Sequence, residues 1–283
     1  MLAAMLLGSL IGALAAVACG GVVGLALGLT GGGGSIFAVP LLVYVLKMPP
    51  EQAMPISLIA VSASAIVGGA QSLRRGLALW KPTIIFALGG VLGAPVGMLV
   101  AKGLPARSLV GGFALLAITV GTLMWRAAQV FPAQATAVRA RVFENGGGPI
   151  CALTPDGQLR FTAPCAAVLA LIGLGTGFLS GMFGIGGGFL IVPALVLITR
   201  MGVHRAVATS LLIIAAIGTS GAISALLHGN IRWPVLLPFA VGGAAAMLAG
   251  RLLAERLAGP KLQKIFATAI FGVGVAMLID SLV

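Results

Sequence analysis

Two clusters of residues have the types and spacing to hold a small anion. The first contains Gly31, Gly32, Gly33, Gly34, Ser35 and Ser57, the second Gly184, Gly186, Gly187, Gly188, Thr209 and Ser210. A run of glycines leaves backbone N–H groups uncovered. Here each run stands directly before an apolar stretch that reads as a short helix, GGGGSIFAVP at Gly31 to Pro40 and GIGGGFLIVP at Gly184 to Pro193. The first turn of a helix carries N–H groups with no partner inside the helix and the positive end of its dipole, a combination that attracts anions. Short hydroxyls at Thr30, Ser35, Ser57, Thr209 and Ser210 can supplement these dipoles. No Lys or Arg stands in the middle of an apolar segment, so fixed dipoles are the expected means of holding an anion and of releasing it again.

Catalysis has no comparable support. Glu51, Glu144, Asp156, Glu255 and Asp280 all fall at segment ends or in the connection between the halves, and no nucleophile is set beside a base. Cys19, Cys151 and Cys165 show no CxxC or zinc-type spacing with His204 and His228. No catalytic residue, metal ligand or cofactor is expected, and neither is a disulfide.

The elements that must position these residues are membrane helices. The chain of 283 residues is 60% hydrophobic and 8% charged, with a mean hydropathy of +1.18. A soluble domain of this size needs far more surface charge, so the class is an all-α polytopic membrane protein. Seventeen Lys and Arg stand against five Asp and Glu. They form no contiguous polar basic face, which excludes nucleic acid as a partner. The apolar opening MLAAMLLGSLIGALAAVACGG lacks the basic start of a signal peptide and reads as the first membrane segment.

The chain also repeats itself. GLALGLTGGGGSIFAVP matches GFLSGMFGIGGGFLIVP at an offset of 153, with seven of 17 positions identical. The register continues without a gap through Ser57 and Ser210, Gly68 and Gly221, Trp80 and Trp233, and Gly89-Gly90 and Gly242-Gly243. Each copy divides into five apolar segments, roughly 10–29, 35–47, 54–73, 83–101 and 106–125, then roughly 164–182, 188–199, 206–227, 234–254 and 261–282. With five segments per half, thirteen of the seventeen basic residues fall on one side, leaving Lys47, Lys102, Arg107 and Arg232 on the other. With four per half the split is eight against nine, so only the odd number gives a clear orientation by the positive-inside rule. An odd number inverts the second copy relative to the first and places both termini on the non-cytoplasmic side. A helix over 35–47 reaches only about 20 Å against a core of roughly 30 Å, so length favours a re-entrant hairpin with a glycine-rich break for the first two segments of each half.

The expected organisation is a first membrane repeat over residues 1–126, a cytoplasmic linker over 127–163 and a second repeat over 164–283. Within the linker, ICALTPDGQLRFT has two short β-prone runs flanking Thr154-Pro155-Asp156-Gly157, the pattern of a small β-hairpin.

These residues resemble a known family. GIGGGFLIVP, its weaker copy GGGGSIFAVP and the stretch His204-Arg-Ala-Val-Ala-Thr-Ser-Leu211 are similar to the TauE/SafE sulfite exporter family of membrane permeases, over nearly all of the chain outside the linker. The resemblance implies transport of a small anionic sulfur compound such as sulfite, thiosulfate or an organosulfonate. The first copy departs from the second at Gly32, where Ile185 stands, and at Ser35, where Gly188 stands. The expected function is a secondary transporter working by alternating access, the alternative an anion channel of the same architecture. The expected partners are that anion and the lipid bilayer of the cell inner membrane. The oligomeric state is left open, a homodimer included.

Overall fold

The computed structural model describes residues 2–130, 152–153, 159–160, 163–199, 203–228, 231–257 and 260–282. Its helices are α1 (Leu2–Thr30), α2 (Gly33–Val45), α3 (Pro50–Arg74), α4 (Trp80–Lys102), α5 (Ala106–Val130), α6 (Ala163–Phe183), α7 (Gly188–Thr199), α8 (Val203–His228), α9 (Trp233–Leu257) and α10 (Pro260–Leu282). Local chemistry accounts for several boundaries. Pro50 occupies the first turn of α3 beside Glu51, and Arg74 lies in the last turn, each matched to the helix dipole there. Lys102 plays the same part at the end of α4. Strands β1 (Ala152–Leu153) and β2 (Leu159–Arg160) pair antiparallel, Ala152 opposite Arg160 and Leu153 opposite Leu159. The turn residues 154–158 lie outside the described residues.

Among the described residues, seven helices are long and apolar enough to cross a membrane. On α4, Ile84, Leu88, Leu92, Val96 and Leu99 are each more than half exposed at spacings of three and four, forming one apolar stripe. Water would penalise such a stripe, whereas hydrocarbon does not. The protein is a multi-pass membrane protein. Helices α2 and α7 are the exceptions in length. At about 1.5 Å per residue, the 12 residues of α7 cover some 18 Å, well short of a roughly 30 Å hydrocarbon core.

Glycine governs how the long helices meet. In α1, a Cβ on Gly20, Gly24 or Gly28 would collide with the backbone of Phe239, Gly243 or Met247 in α9. In α6, a Cβ on Gly173, Gly177 or Gly181 would collide with Phe86, Gly90 or Ala94 in α4. Every one of these residues in the second set stands 153 positions from its counterpart in the first, so one packing solution is used twice. The four-residue spacing is the small-residue pattern that lets membrane helices approach closely. Both pairs run parallel, since contacts rise together along the two chains.

The other two pairings join matching helices of the two halves. Gly68 of α3 lies by Leu211 of α8, and Gly221 of α8 lies by Leu58 of α3, so these two helices run antiparallel. Likewise Gly121 of α5 meets Ala267 and Phe271 of α10, while Gly274 of α10 meets Ala114 and Ala117 of α5. The α3–α8 pair forms the centre of the molecule, with Ile56, Leu58, Leu211, Ile213, Ile214 and Ile217 fully buried.

One expectation is corrected here. Cys165, fully buried near the start of α6, is disulfide-bonded, whereas Cys19 is a free buried thiol. The bond was illegible because nothing in the spacing of three cysteines marks which of them meet in space.

Candidate functional site

The two glycine motifs end α1 and α6 in the same way. Each long helix closes with an ordinary bond, Gly31 N–H to the Leu27 carbonyl at 2.7 Å and Gly184 N–H to the Ser180 carbonyl at 2.9 Å. Each then turns sharply, because Gly31 (φ +73°) and Gly184 (φ +69°) adopt the left-handed conformation that side chains disfavour. At Gly184 the close approach of α3 adds to this, since a Cβ there would lie 2.6 Å from the Met54 Cα.

These turned carbonyls, buried away from water, need donors. The donors come from the opposite half. Ser57 Oγ of α3 donates to the Gly184 carbonyl at 2.7 Å, and Ser210 Oγ of α8 donates to the Gly31 carbonyl at 2.7 Å. The two bonds are counterparts at the repeat offset, so each broken helix is tied to the central helix of the other copy. Both serines are fully buried.

The motifs also touch one another. A Cβ on Gly32 would collide with the backbone of Gly188, and one on Gly188 would lie 2.7 Å from the Gly32 Cα. Residues 31–36 and 184–189 are all buried. The structure thus brings Gly31, Gly32 and Ser210 together with Gly184, Gly188 and Ser57 inside the bundle. Gly186 lies against Val61 of α3 and Ile214 of α8, again residues 153 apart. Thr209 stands aside from the motifs and accepts the N–H of Leu79, just before α4, at 3.2 Å.

After the first turn the copies diverge. In the second, Gly186 (φ +71°) and Gly187 (φ +67°) are also left-handed, and α7 then runs as regular α-helix. In the first, α2 is composite: a 3-10 stretch at Gly33–Phe37, one α-turn at Ala38–Pro40 and a π-turn at Leu41–Val45. Pro40 and Pro193 occupy equivalent places, so proline alone does not explain the difference. The hydroxyls of the first motif are engaged locally. Thr30 Oγ1 donates to the Ala26 carbonyl at 2.7 Å and accepts the Gly34 N–H at 3.2 Å, and Ser35 Oγ donates to the Gly32 carbonyl at 2.8 Å.

Sequence reasoning missed two side chains. Arg251 falls near the end of its apolar segment, yet its guanidinium turns inward, is almost fully buried, and donates to the Gly68 carbonyl and to Ser72 Oγ, the latter at 2.7 Å. Its counterpart in the first copy is Met98, and that mismatch between copies was the available signal. The other is Ser180, whose place in the quoted motif four residues before Gly184 could have marked it. A shallow groove of about 720 Å³ opens between α4 and α8, where Pro95, Thr219, Ser220 and Ser224 line it. None of the expected site residues borders that groove.

Comparison with known proteins agrees with this architecture. The family described as Sulfite exporter TauE/SafE matches residues 16–277. A "Probable membrane transporter protein" of Xylella fastidiosa (strain Temecula1) is 37% identical over 265 residues, covering 93% of each chain. "Probable membrane transporter protein YunE" of Bacillus subtilis is 27% identical over 230 residues, 78% of this chain and 80% of that one. No solved structure matches the chain significantly. Since the match begins inside α1 and ends within α10, nearly the whole chain belongs to the TauE/SafE sulfite exporter family of membrane transporters.

Proposed function

We propose that the protein is a secondary transporter for small sulfur-containing anions, among them sulfite, thiosulfate or organosulfonates, working by alternating access between two inverted repeats. The observation that carries the reading is the reciprocal pair of bonds, Ser57 to the Gly184 carbonyl and Ser210 to the Gly31 carbonyl, around motifs that meet at Gly32 and Gly188. Broken helices at membrane depth are tolerated where protein or a hydrated cavity encloses them, and in inverted-repeat transporters they build the substrate site. Antiparallel packing of the matching pairs α3–α8 and α5–α10 supports inversion, because exchanging the halves then reverses helix direction.

In this mechanism the described conformation is a closed one, with both latches made. Opening toward one side releases one copy's motif from the central helix of the other, and opening toward the other side releases its counterpart. The anion is held by dipoles and N–H groups of the motifs and meets no buried carboxylate there. The proposed setting is the cell inner membrane, with both termini non-cytoplasmic and the 127–163 linker joining the repeats on the cytoplasmic side.

Counterflow tests it. Purified protein in proteoliposomes preloaded with unlabelled sulfite should take up tracer sulfite saturably and faster than empty vesicles. Uptake that never saturates and gains nothing from preloading marks a channel and overturns the alternating-access reading.

A further inference from the structure

In the second motif a buried hydroxyl has no partner. Ser180 is 1% exposed, and its Oγ makes no hydrogen bond. Serines inside helices ordinarily bond back to the carbonyl four residues earlier. Ser62, Ser64 and Ser72 of α3 all do so, at 2.5, 2.9 and 2.9 Å. Ser180 instead stands against the glycine loop, where a Cβ on Gly187 would lie 3.3 Å from its Cβ and 3.7 Å from its Oγ.

Further donors wait at the same place. The N–H groups of Leu190 and Ile191 bond back to the Gly187 carbonyl at 3.1 and 3.4 Å, which starts α7. Those of Gly187 and Gly188 make no hydrogen bond among the described residues, and they open a helix of 12 residues whose dipole is positive at this end. The first copy lacks both the free hydroxyl and the free amide at the position equivalent to Gly187. Leu27 stands where Ser180 does, and Thr30, in the place of Phe183, has already taken the Gly34 N–H.

We propose that Ser180 Oγ, together with the backbone N–H groups of Gly187 and Gly188, forms the oxyanion subsite of the transporter. The hydroxyl and the amides are neighbouring unpaired donors at one loop, which suits an anion with at least two oxygens to accept them. The inference rests on the reading of the chain as an oxyanion permease and narrows it to one copy of the motif. An unpartnered buried hydroxyl is a cost to the ligand-free protein. Ligand oxygen offsets that cost.

The same economy gives a test that separates binding from structure. In thermal melts of the purified full chain titrated with sulfite, sulfate and thiosulfate, with chloride as control, the wild type is stabilised by an oxyanion in a saturable way. Ser180→Ala melts at or above the wild-type temperature without ligand, yet its apparent affinity falls roughly ten- to hundred-fold, the scale of a hydrogen bond to a charged group. Ser180→Thr, which keeps the hydroxyl, recovers most of that affinity. Ser64→Ala, which removes a satisfied hydroxyl of α3, leaves affinity within about threefold. Unchanged affinity in Ser180→Ala, or a ligand-free Ser180→Ala that melts well below wild type, overturns the inference and leaves the permease reading standing. A wild type that no oxyanion stabilises overturns both.

Discussion

Ser57 and Ser210 occupy one position of a repeated pattern, and each hydroxyl reaches across to a carbonyl of the other copy, Ser210 sharing its proton with the Val207 carbonyl of its own turn. Removing either hydroxyl strands a buried carbonyl at the break of a helix, a loss of about 1–3 kcal/mol. Ser57→Ala and Ser210→Ala should each lower the melting temperature of the purified protein by several degrees. Melts indistinguishable from wild type would show that the latches carry no load. The glycines beside them were legible in the sequence because the runs are duplicated and stand before apolar segments. The part played by each hydroxyl was not. Ser57 and Ser62 look alike on one helix, yet one bonds to a carbonyl 127 residues away and the other to its own turn. Only the crossing of α3 with the opposite motif decides which.

Pro95 shapes α4 in a way that one partner answers. Proline has no N–H to give the carbonyl four residues earlier, here that of Val91. Ser220 of α8 supplies the missing donor at 3.0 Å, and both residues line the groove between α4 and α8. A double-mutant cycle isolates this substitution of one donor for another. Ser220→Ala should cost about 1–3 kcal/mol in the wild type, where Val91 is left without a donor. In Pro95→Ala, whose restored N–H satisfies Val91, the same change should cost little. Equal costs in both backgrounds, read from chemical or thermal unfolding, would contradict the account. At this scale the sequence was partly transparent. Glycines four apart announce a close helix contact, but not that α1 takes α9 and α6 takes α4. The composite build of α2 was hidden, since its sequence differs from α7 only in small steps.

For the molecule as a whole, the duplication was open to reading because a fixed offset persists from Gly24 to Gly243. The proposed orientation rests on the charge split and is open to labelling. In a variant lacking the native cysteines, Arg75→Cys should resist a membrane-impermeant maleimide in intact cells, whereas Arg107→Cys should react, both positions being exposed. The reverse pattern would turn the proposed topology over.

The glycine faces of α1 also bear on how the protein is made. α1 leaves the ribosome well before α9, the helix it closes against, which follows some two hundred residues later. Until translation reaches that point, α1 sits in the bilayer with its small-residue groove uncovered. A transcript truncated at the linker would therefore yield a product with one such face open on α1 and another on α4, ready substrate for membrane quality control.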